Sequence, residues 1–335
     1  MERLNKKLQN IPVLLRISFG IIFIADSLLK LMIPDSAYLI KENVLTGAYG
    51  AWYFVYPWVS FWANFTANNV NFFVMFAIAV EFLIGLFLIL GFLKKYVYIG
   101  GAIYSIAIWV TIGQFGGPYI AGVLNIGATP IYLLLFIMLI MIEKQFPTDN
   151  FSIDALISKK IRISEKILSF KRNLSYNSKQ KFFAFSSIAF GAVLAINASL
   201  KLVSGTASNI AEDQLMQLLG EPKILIPFFL FWDKIILPNI HIFLYVYAFS
   251  ELAIAFLLIF GLFRKWVYTA GIVYSFFSWS VIQGFGGPFF AGVTDLNVGI
   301  IYILVFLVLW LYNSKVNLSY FYTPNRLLHN SVANS

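Results

Sequence analysis

Two stretches decide the architecture of this chain: YVYIGGAIYSIAIWVTIGQFGGPYIAGV (96–123) and WVYTAGIVYSFFSWSVIQGFGGPFFAGV (266–293). They align without a gap at an offset of 170 residues, and 14 of their 28 positions are identical. Upstream of them, Glu81 matches Glu251 at the same offset. Self-similarity at a fixed period is the signature of a repeated structural unit. The sequence therefore predicts two tandem copies of one unit.

The composition indicates a membrane protein. Of the 335 residues, 60% are hydrophobic and 12% charged, and the mean hydropathy is +0.81. A soluble domain carries roughly 25% charged residues. The chain has no cysteine and only two histidines, which argues against haem, a metal centre or an iron–sulfur cluster in this chain.

Eight apolar runs are candidates for spanning helices, which need about 20 apolar residues each. We expect an all-α membrane protein with eight transmembrane helices, arranged as two four-helix bundle repeats. The helices are expected at 12–33, 71–93, 96–114, 129–142, 182–203, 241–263, 266–284 and 298–312. The corresponding regions are a first unit (1–142), a basic cytoplasmic linker (143–181), a second unit (182–314) and a cytoplasmic tail (315–335). The long segments 34–70 and 204–240 are rich in aromatic residues and prolines, and we expect them in the headgroup layer.

The distribution of Lys and Arg predicts the orientation. Eighteen basic residues flank the predicted helices on one side and five on the other, which indicates a multi-pass protein of the cell membrane with both termini in the cytoplasm. Because each unit has an even number of helices, the two units are parallel repeats. The net charge of +9 is therefore explained by topology and by the lipid bilayer, without a nucleic-acid partner.

Ionisable residues inside the predicted helices need an explanation, since charges in a bilayer are costly and usually paired. The first helix contains Arg16, Asp26 and Lys30, and the second contains Glu81. At 1.5 Å per residue, Asp26 and Glu81 lie at nearly one depth, about 20 Å from the cytoplasmic ends. Arg16, Lys30 and Tyr104 are candidate partners. The group is either a buried ion-pair network that fixes helix register or a ligand- and proton-binding site.

The second half does not copy this set. Lys201 and Glu251 are kept, but three other positions differ: Ser187 replaces Arg16, Asn197 replaces Asp26, and Asp295 replaces Asn125. Either one half serves as scaffold or the two halves divide the work.

Two glycine-rich segments, GQFGGPYIAG (113–122) and QGFGGPFFAG (283–292), follow the third and seventh predicted helices. Glycines before proline break a helix and free backbone N–H groups, which would suit an anion; an ordinary tight turn is the alternative. Amide and indole side chains beside these segments would suit a quinone ring, although such side chains are also common at membrane interfaces. They are Trp109, Gln114, Trp279 and Gln283.

Four stretches resemble the DoxX superfamily, and within it the DoxD branch, the membrane subunit of archaeal thiosulfate:quinone oxidoreductase. They are LLRISFGIIFIADSLLK (14–30), FWANFTANNVNFFVMFAIAVEF (61–82), EFLIGLFLILG (81–91) and FGGPFFAGVTDLNVGIIYILVFLVL (285–309). The resemblance covers both halves. Two features depart from the family pattern: a second unit is fused to the first, and the first glycine-rich segment is followed by Leu124-Asn125 where the family has Thr-Asp.

The resemblance implies a respiratory-chain enzyme subunit that passes electrons from thiosulfate, at the outer face, to membrane quinone. Quinone is the acceptor, and other membrane or extracytoplasmic subunits are expected partners. The residues implied as catalytic are Asp26, Glu81, Glu251 and Asp295. The family pattern also falls on Arg16 and Lys30. Together with the candidates chosen by side-chain type and placement, the expected substrate- or quinone-binding residues are Arg16, Lys30, Lys201, Tyr104, Tyr274, Trp109, Trp279, Gln114 and Gln283.

Two other functions stay open. The first is a non-catalytic membrane subunit of a respiratory complex such as a terminal oxidase, which fits the absence of recognisable redox centres. The second is a small transporter that uses the pseudo-twofold arrangement of the repeats.

Overall fold

The computed structural model describes residues 2–32, 36–117, 123–144, 151–161, 170, 176–203, 206–287, 289 and 295–313. Within these ranges the regular structure is helical and no strand occurs. The first half contains α1 (Glu2–Met32), α2 (Ser36–Tyr49), α3 (Tyr56–Asn68), α4 (Val70–Leu90), α5 (Lys94–Val110) and α6 (Thr129–Glu143). After α7 (Ile153–Ile161), the second half contains α8 (Tyr176–Lys201), α9 (Thr206–Gly220), α10 (Ile226–Ile236), α11 (Ile240–Phe260), α12 (Arg264–Phe277) and α13 (Val298–Asn313).

Four helical segments are long and apolar enough to cross a membrane: Pro12–Met32, Val70–Leu90, Ser178–Lys201 and Ile226–Phe260. Two shorter apolar helices, α6 and α13, accompany them. The chain is thus an all-helical membrane protein with several apolar helices. The third predicted helix of the first half is shorter than expected, because α5 ends at Val110. In the second half α12 is continued by a π-helical turn from Ser278 to Ile282.

The backbone conformation recurs at the 170-residue offset. Glycine in the left-handed conformation ends α4 and α11, as is common at helix C-termini. A non-glycine residue with positive φ precedes α5 and α12, and another lies in each glycine-rich turn. The pairs, with their φ values, are Gly91 and Gly261 (62° and 64°), Leu93 and Phe263 (49° and 46°), and Phe115 and Phe285 (58° and 53°).

These conformations define two ends of the molecule. The tight-turn end contains the α4–α5 and α11–α12 connections at Gly91 and Gly261. The glycine-loop end contains the turns around Gly116 and Gly286.

Helices pack in matching pairs, α1 on α4 and α8 on α11, α5 on α6 and α12 on α13. Small residues let the first pair approach closely: a Cβ on Gly20 would lie 2.8 Å from the carbonyl oxygen of Gly85, and one on Gly85 would lie 2.7 Å from that of Gly20. In the second half the matching pair is Gly191 and Ala255. The halves meet where α6 contacts α8 and α13, and where α1 contacts α13.

Where the structure describes them, the regions expected to lie in the headgroup layer are largely helical. Segment 34–70 contains α2 and α3, and segment 204–240 contains α9 and α10. Part of the predicted linker packs on the first half, since the Asp154 carboxylate accepts hydrogen bonds from the backbone N–H groups of Leu93 (2.7 Å) and Lys94 (2.9 Å). That carboxylate caps the start of α5, where an acidic side chain is favourable. The predicted tail (315–335) lies outside the described residues.

Candidate functional site

A cavity of about 390 Å³ lies in the first half, between α1, α4 and α5, near the glycine-loop end. Its polar wall contains Asp26, Lys30, Glu81, Tyr104 and Asp295. Its apolar wall comes from α2, α4, α5 and the turn after α5, and consists mainly of Val44, Phe73, Val74, Ala77, Ile108 and Ile112. A cavity of this size with a few convergent polar groups is typical of a small-molecule site.

A buried ion pair lies on one side of the cavity. The Lys30 ammonium lies 2.6 Å from Oε2 of Glu81, and the Tyr104 hydroxyl donates a hydrogen bond of 2.9 Å to Oε1. Three helices therefore meet at the Glu81 carboxylate: α1, α4 and α5. Lys30 and Tyr104 are thus at the partner positions that helical spacing predicts.

Asp26 connects the first half to the second. Its Oδ2 accepts a hydrogen bond of 2.5 Å from the Tyr132 hydroxyl, and its Oδ1 accepts one of 2.9 Å from the backbone N–H of Leu296. Leu296 follows Asp295, which lines the same cavity. The site is therefore built from residues of both halves. Sequence reasoning missed Tyr132, although its match with Tyr302 at the 170-residue offset was a usable signal.

The cavity has an unbalanced charge. Its described lining residues provide three carboxylates (Asp26, Glu81 and Asp295) but one ammonium, that of Lys30. Two of these carboxylates accept backbone hydrogen bonds, Asp26 from the Leu296 N–H and Asp295 from the Asn297 N–H (2.8 Å). An excess of carboxylates in a poorly solvated space still disfavours a further anion.

The second half makes matching contacts to the first half, but with an amide side chain, that of Asn197, where the first half has the carboxylate of Asp26. The Asn197 amide nitrogen donates a hydrogen bond of 2.7 Å to the Tyr302 hydroxyl, and its oxygen accepts one of 3.1 Å from the backbone N–H of Ile126. Lys201 pairs with Glu251 and also donates to the Leu124 carbonyl oxygen at 3.0 Å. Each glycine-rich loop is thus continued by residues that contact the opposite half.

Arg16 lies away from the cavity. Its guanidinium donates hydrogen bonds to the carbonyl oxygens of Leu88, Ile89 (3.0 Å) and Phe151 (3.1 Å) at the tight-turn end. Ten residues of helix, about 15 Å, separate it from Asp26. The structure assigns Arg16 to the C-terminal carbonyls of α4, so its interpretation as a partner of the buried carboxylates is wrong.

The amide and indole side chains beside the glycine-rich turns make contacts within the protein. Gln114 donates to the Val44 carbonyl oxygen (2.6 Å), and Gln283 accepts from the backbone N–H of Gly299 (2.9 Å). The Trp279 indole N–H donates to the Leu296 carbonyl oxygen (3.0 Å), and the Trp109 ring contacts that of Phe115. None of the four residues Trp109, Gln114, Trp279 and Gln283 lines the cavity. Tyr274 stacks on Tyr247.

The glycine amides of the described turns are used internally. Gly116 and Gly286 each donate a hydrogen bond of 2.7 Å, to the carbonyl oxygens of Gly113 and Gln283 respectively. Gly117 donates to the Gln114 carbonyl oxygen at 3.1 Å. These glycines therefore form ordinary hydrogen-bonded turns, and their N–H groups are not available to an anion.

The fold and the site together define a class of protein: an all-helical membrane protein with an acidic cavity between its helices. The DoxX family model matches residues 11–114, which include most of α1 and all of α2 to α5. DoxX is a membrane protein family often linked to oxidoreductase-associated functions. No curated protein and no solved structure matches the chain.

Proposed function

We propose that this chain is the quinone-binding membrane subunit of an oxidoreductase, of the thiosulfate:quinone type that the DoxD resemblance implies. The observation that carries the proposal is the first-half cavity, which combines an apolar wall with the Lys30–Glu81–Tyr104 network and two further carboxylates.

The lining residues fit a quinone headgroup. A flat ring needs apolar contact, which Phe73, Val74 and Ile108 would provide. The ring carbonyls need hydrogen-bond donors, which would be Lys30, one member of the ion pair, and Tyr104, which donates to the other. A bound quinone takes up two electrons and two protons to give the quinol.

Proton transfer would be the main chemical contribution of this chain. Asp26, Glu81 and Asp295 line the cavity together with the Lys30 ammonium, so a carboxylate able to exchange a proton would lie close to any bound ring. Asp26 and Asp295 would store protons and Glu81 would exchange them through Tyr104 and Lys30. The same negative charge disfavours a sulfur oxyanion in the cavity.

Thiosulfate oxidation is therefore assigned to the assembled complex rather than to this cavity. Joining two thiosulfates through sulfur releases the two electrons that reduction of one quinone consumes. The proposal thus requires a partner subunit that holds the sulfur compound and delivers electrons at the glycine-loop end.

The proposed topology has eight spans in two parallel four-helix units, each of the DoxD kind, with both termini cytoplasmic. The bias in Lys and Arg supports it, as does the recurrence of helix ends at the 170-residue offset. In this orientation the tight-turn end faces the cytoplasm and the cavity lies toward the outer side.

A non-catalytic role in a respiratory complex is a second candidate. One observation favours it: large aromatic side chains are exposed along one face of α3 and α4, where another membrane subunit would pack as well as lipid. They are Phe61, Phe65, Phe72 and Phe76.

The experiment is a quinone-binding titration with the purified protein, and any co-purifying subunits, in lipid nanodiscs. Decylubiquinone is the probe and tryptophan fluorescence the readout. Tyr104→Phe, which removes one hydroxyl group, should weaken binding about tenfold, whereas the matched second-half variant Tyr274→Phe should leave it within about twofold. Equal effects of the two variants, or no binding by the unmodified complex, would count against the proposal and favour the non-catalytic role.

A further inference from the structure

The two halves differ at the centre of the cavity wall. Ala77, on the inward face of α4, lines the cavity one turn before Glu81. At the 170-residue offset its counterpart on α11 is Tyr247, one turn before Glu251. A methyl group in one half is thus replaced by a phenol ring in the other.

The Tyr247 ring lies among the counterparts of cavity-lining residues. Its centroid is 4.9 Å from the Lys201 ammonium, 5.4 Å from the Tyr274 ring and 6.0 Å from the Phe243 ring. Its hydroxyl is hydrogen-bonded to Ser278 at 2.6 Å. These four neighbours correspond to Lys30, Tyr104, Phe73 and Ile108, all of which line the first-half cavity.

The second-half ion pair has correspondingly less exposure. The Lys201 and Glu251 side chains are 3% and 2% exposed, against 11% and 12% for Lys30 and Glu81. The Lys201 ammonium has Glu251, the Leu124 carbonyl oxygen and the Tyr247 ring as partners. An ammonium so surrounded has little capacity left to bind a ligand.

We infer that the Tyr247 side chain occupies the second half's counterpart of the cavity, and that the residue at position 77 or 247 determines which half accepts a ligand. The ligand class rests on the proposed function: a quinone-type ring binds beside Ala77 in the first half and is excluded by Tyr247 in the second. The Lys201–Glu251 pair then serves to hold α8 against α11.

Cysteine labelling tests the occlusion without any quinone. The chain has no cysteine, so a single introduced thiol reports on one position. Ile112 lines the cavity, and its counterpart Ile282 is the same residue type, 4% exposed and in one apolar cluster with Tyr247. Ile112→Cys should react with a small methanethiosulfonate reagent about tenfold or more faster than Ile282→Cys, because the buried thiol must wait for local opening.

Two further variants give each half the side chain that the other half has at positions 77 and 247. Adding Tyr247→Ala should raise the labelling rate of Ile282→Cys to near that of Ile112→Cys. Adding Ala77→Tyr with Ile108→Ser, which supplies the hydroxyl partner found at Ser278, should protect Ile112→Cys about tenfold. Equal labelling of the two cysteines in the otherwise unmodified chain, or no protection by Ala77→Tyr with Ile108→Ser, would overturn the inference. If Tyr247→Ala does not fold, the Ala77→Tyr arm still decides.

Decylubiquinone binding separates this inference from the function on which it rests. Ala77→Tyr with Ile108→Ser should abolish binding, whereas the unmodified chain binds one equivalent. Retained binding by that variant would overturn the inference and leave the proposed function standing. Labelling that follows the expected pattern, with no quinone binding by any form, would refute the function and leave the occlusion by Tyr247 standing.

Discussion

The first and second halves share most of their helix ends and the same Lys–Glu pair, but the described cavity lies in the first half. Helix ends, left-handed residues and glycine-rich turns recur 170 residues apart. The difference lies in a few side chains: Asp26 against Asn197, Ala77 against Tyr247, and Asp295 against Asn125. The halves thus differ at the site mainly through single side chains, which set the space beside the Lys–Glu pair and the number of carboxylates around it.

The two halves are also linked to each other by hydrogen bonds. Asp26 accepts a hydrogen bond from the backbone N–H of Leu296, and Asn197 accepts one from that of Ile126. Each half therefore positions part of the other half's site. This exchange explains why Asp295, which belongs to the second half in the chain, lines the first-half cavity.

Replacing the buried lysine of each half should give the largest difference between the halves in the free energy of unfolding. Lys201→Met leaves the Glu251 carboxylate buried without its partner, which should lower the free energy of unfolding by about 3–5 kcal/mol. Lys30→Met should have a smaller effect, because the Glu81 side chain borders the cavity and is more exposed. Chemical unfolding in detergent micelles measures both. The double variant Lys201→Met with Glu251→Met should recover most of the loss, and an equal effect of the two single variants would contradict the comparison.

A smaller difference in the free energy of unfolding is expected at the two helix crossings, α1 on α4 and α8 on α11. Gly85→Ala places a methyl group within 2.7 Å of the Gly20 carbonyl oxygen and the Ile24 side chain, so α1 and α4 must move apart at a cost of about 1–3 kcal/mol. The reverse change in the second half, Ala255→Gly, should cost no more than about 1 kcal/mol. Thermal unfolding in one detergent gives the ranking. A harmless Gly85→Ala would mean that the first-half crossing tolerates the spacing of the second.

The pH dependence of stability should differ at one position outside the membrane-spanning segments. Burial raises the pKa of Glu221, which follows α9, from 4.5 to about 7, and its carboxylate lies against the backbone of Gly284 and Gly287. Its counterpart in the first half is Ala51.

Because the folded state binds this proton more tightly than the unfolded state, the stability due to Glu221 is complete below pH 4.5. It decreases as the pH rises and is lost above the folded-state pKa of about 7. Glu221→Gln should flatten the profile of unfolding temperature between those values, and Glu212→Gln on the exposed side of α9 serves as the control. An unchanged slope in Glu221→Gln would contradict the assignment.

The sequence by itself determined the membrane class, the helical fold and the 170-residue repeat. The backbone of a long apolar run finds its hydrogen-bond partners in a bilayer mainly as a helix, and similar sequences at a constant offset take similar backbone conformations. Helical spacing also predicted that Lys30 and Tyr104 would be near Glu81, since partners on neighbouring helices can be estimated from depth alone.

Only the tertiary structure decided which side chains share a site. Depth along a helix does not reveal that Arg16 is used at the tight-turn end, that Asp26 bonds to Leu296 of the other half, or that Tyr247 fills the space beside Glu251. These contacts depend on how two units pack around each other and on the volume left between helices. A periodic pattern in one chain contains neither quantity, so the repeat could be read from the sequence and the asymmetry of its site could not.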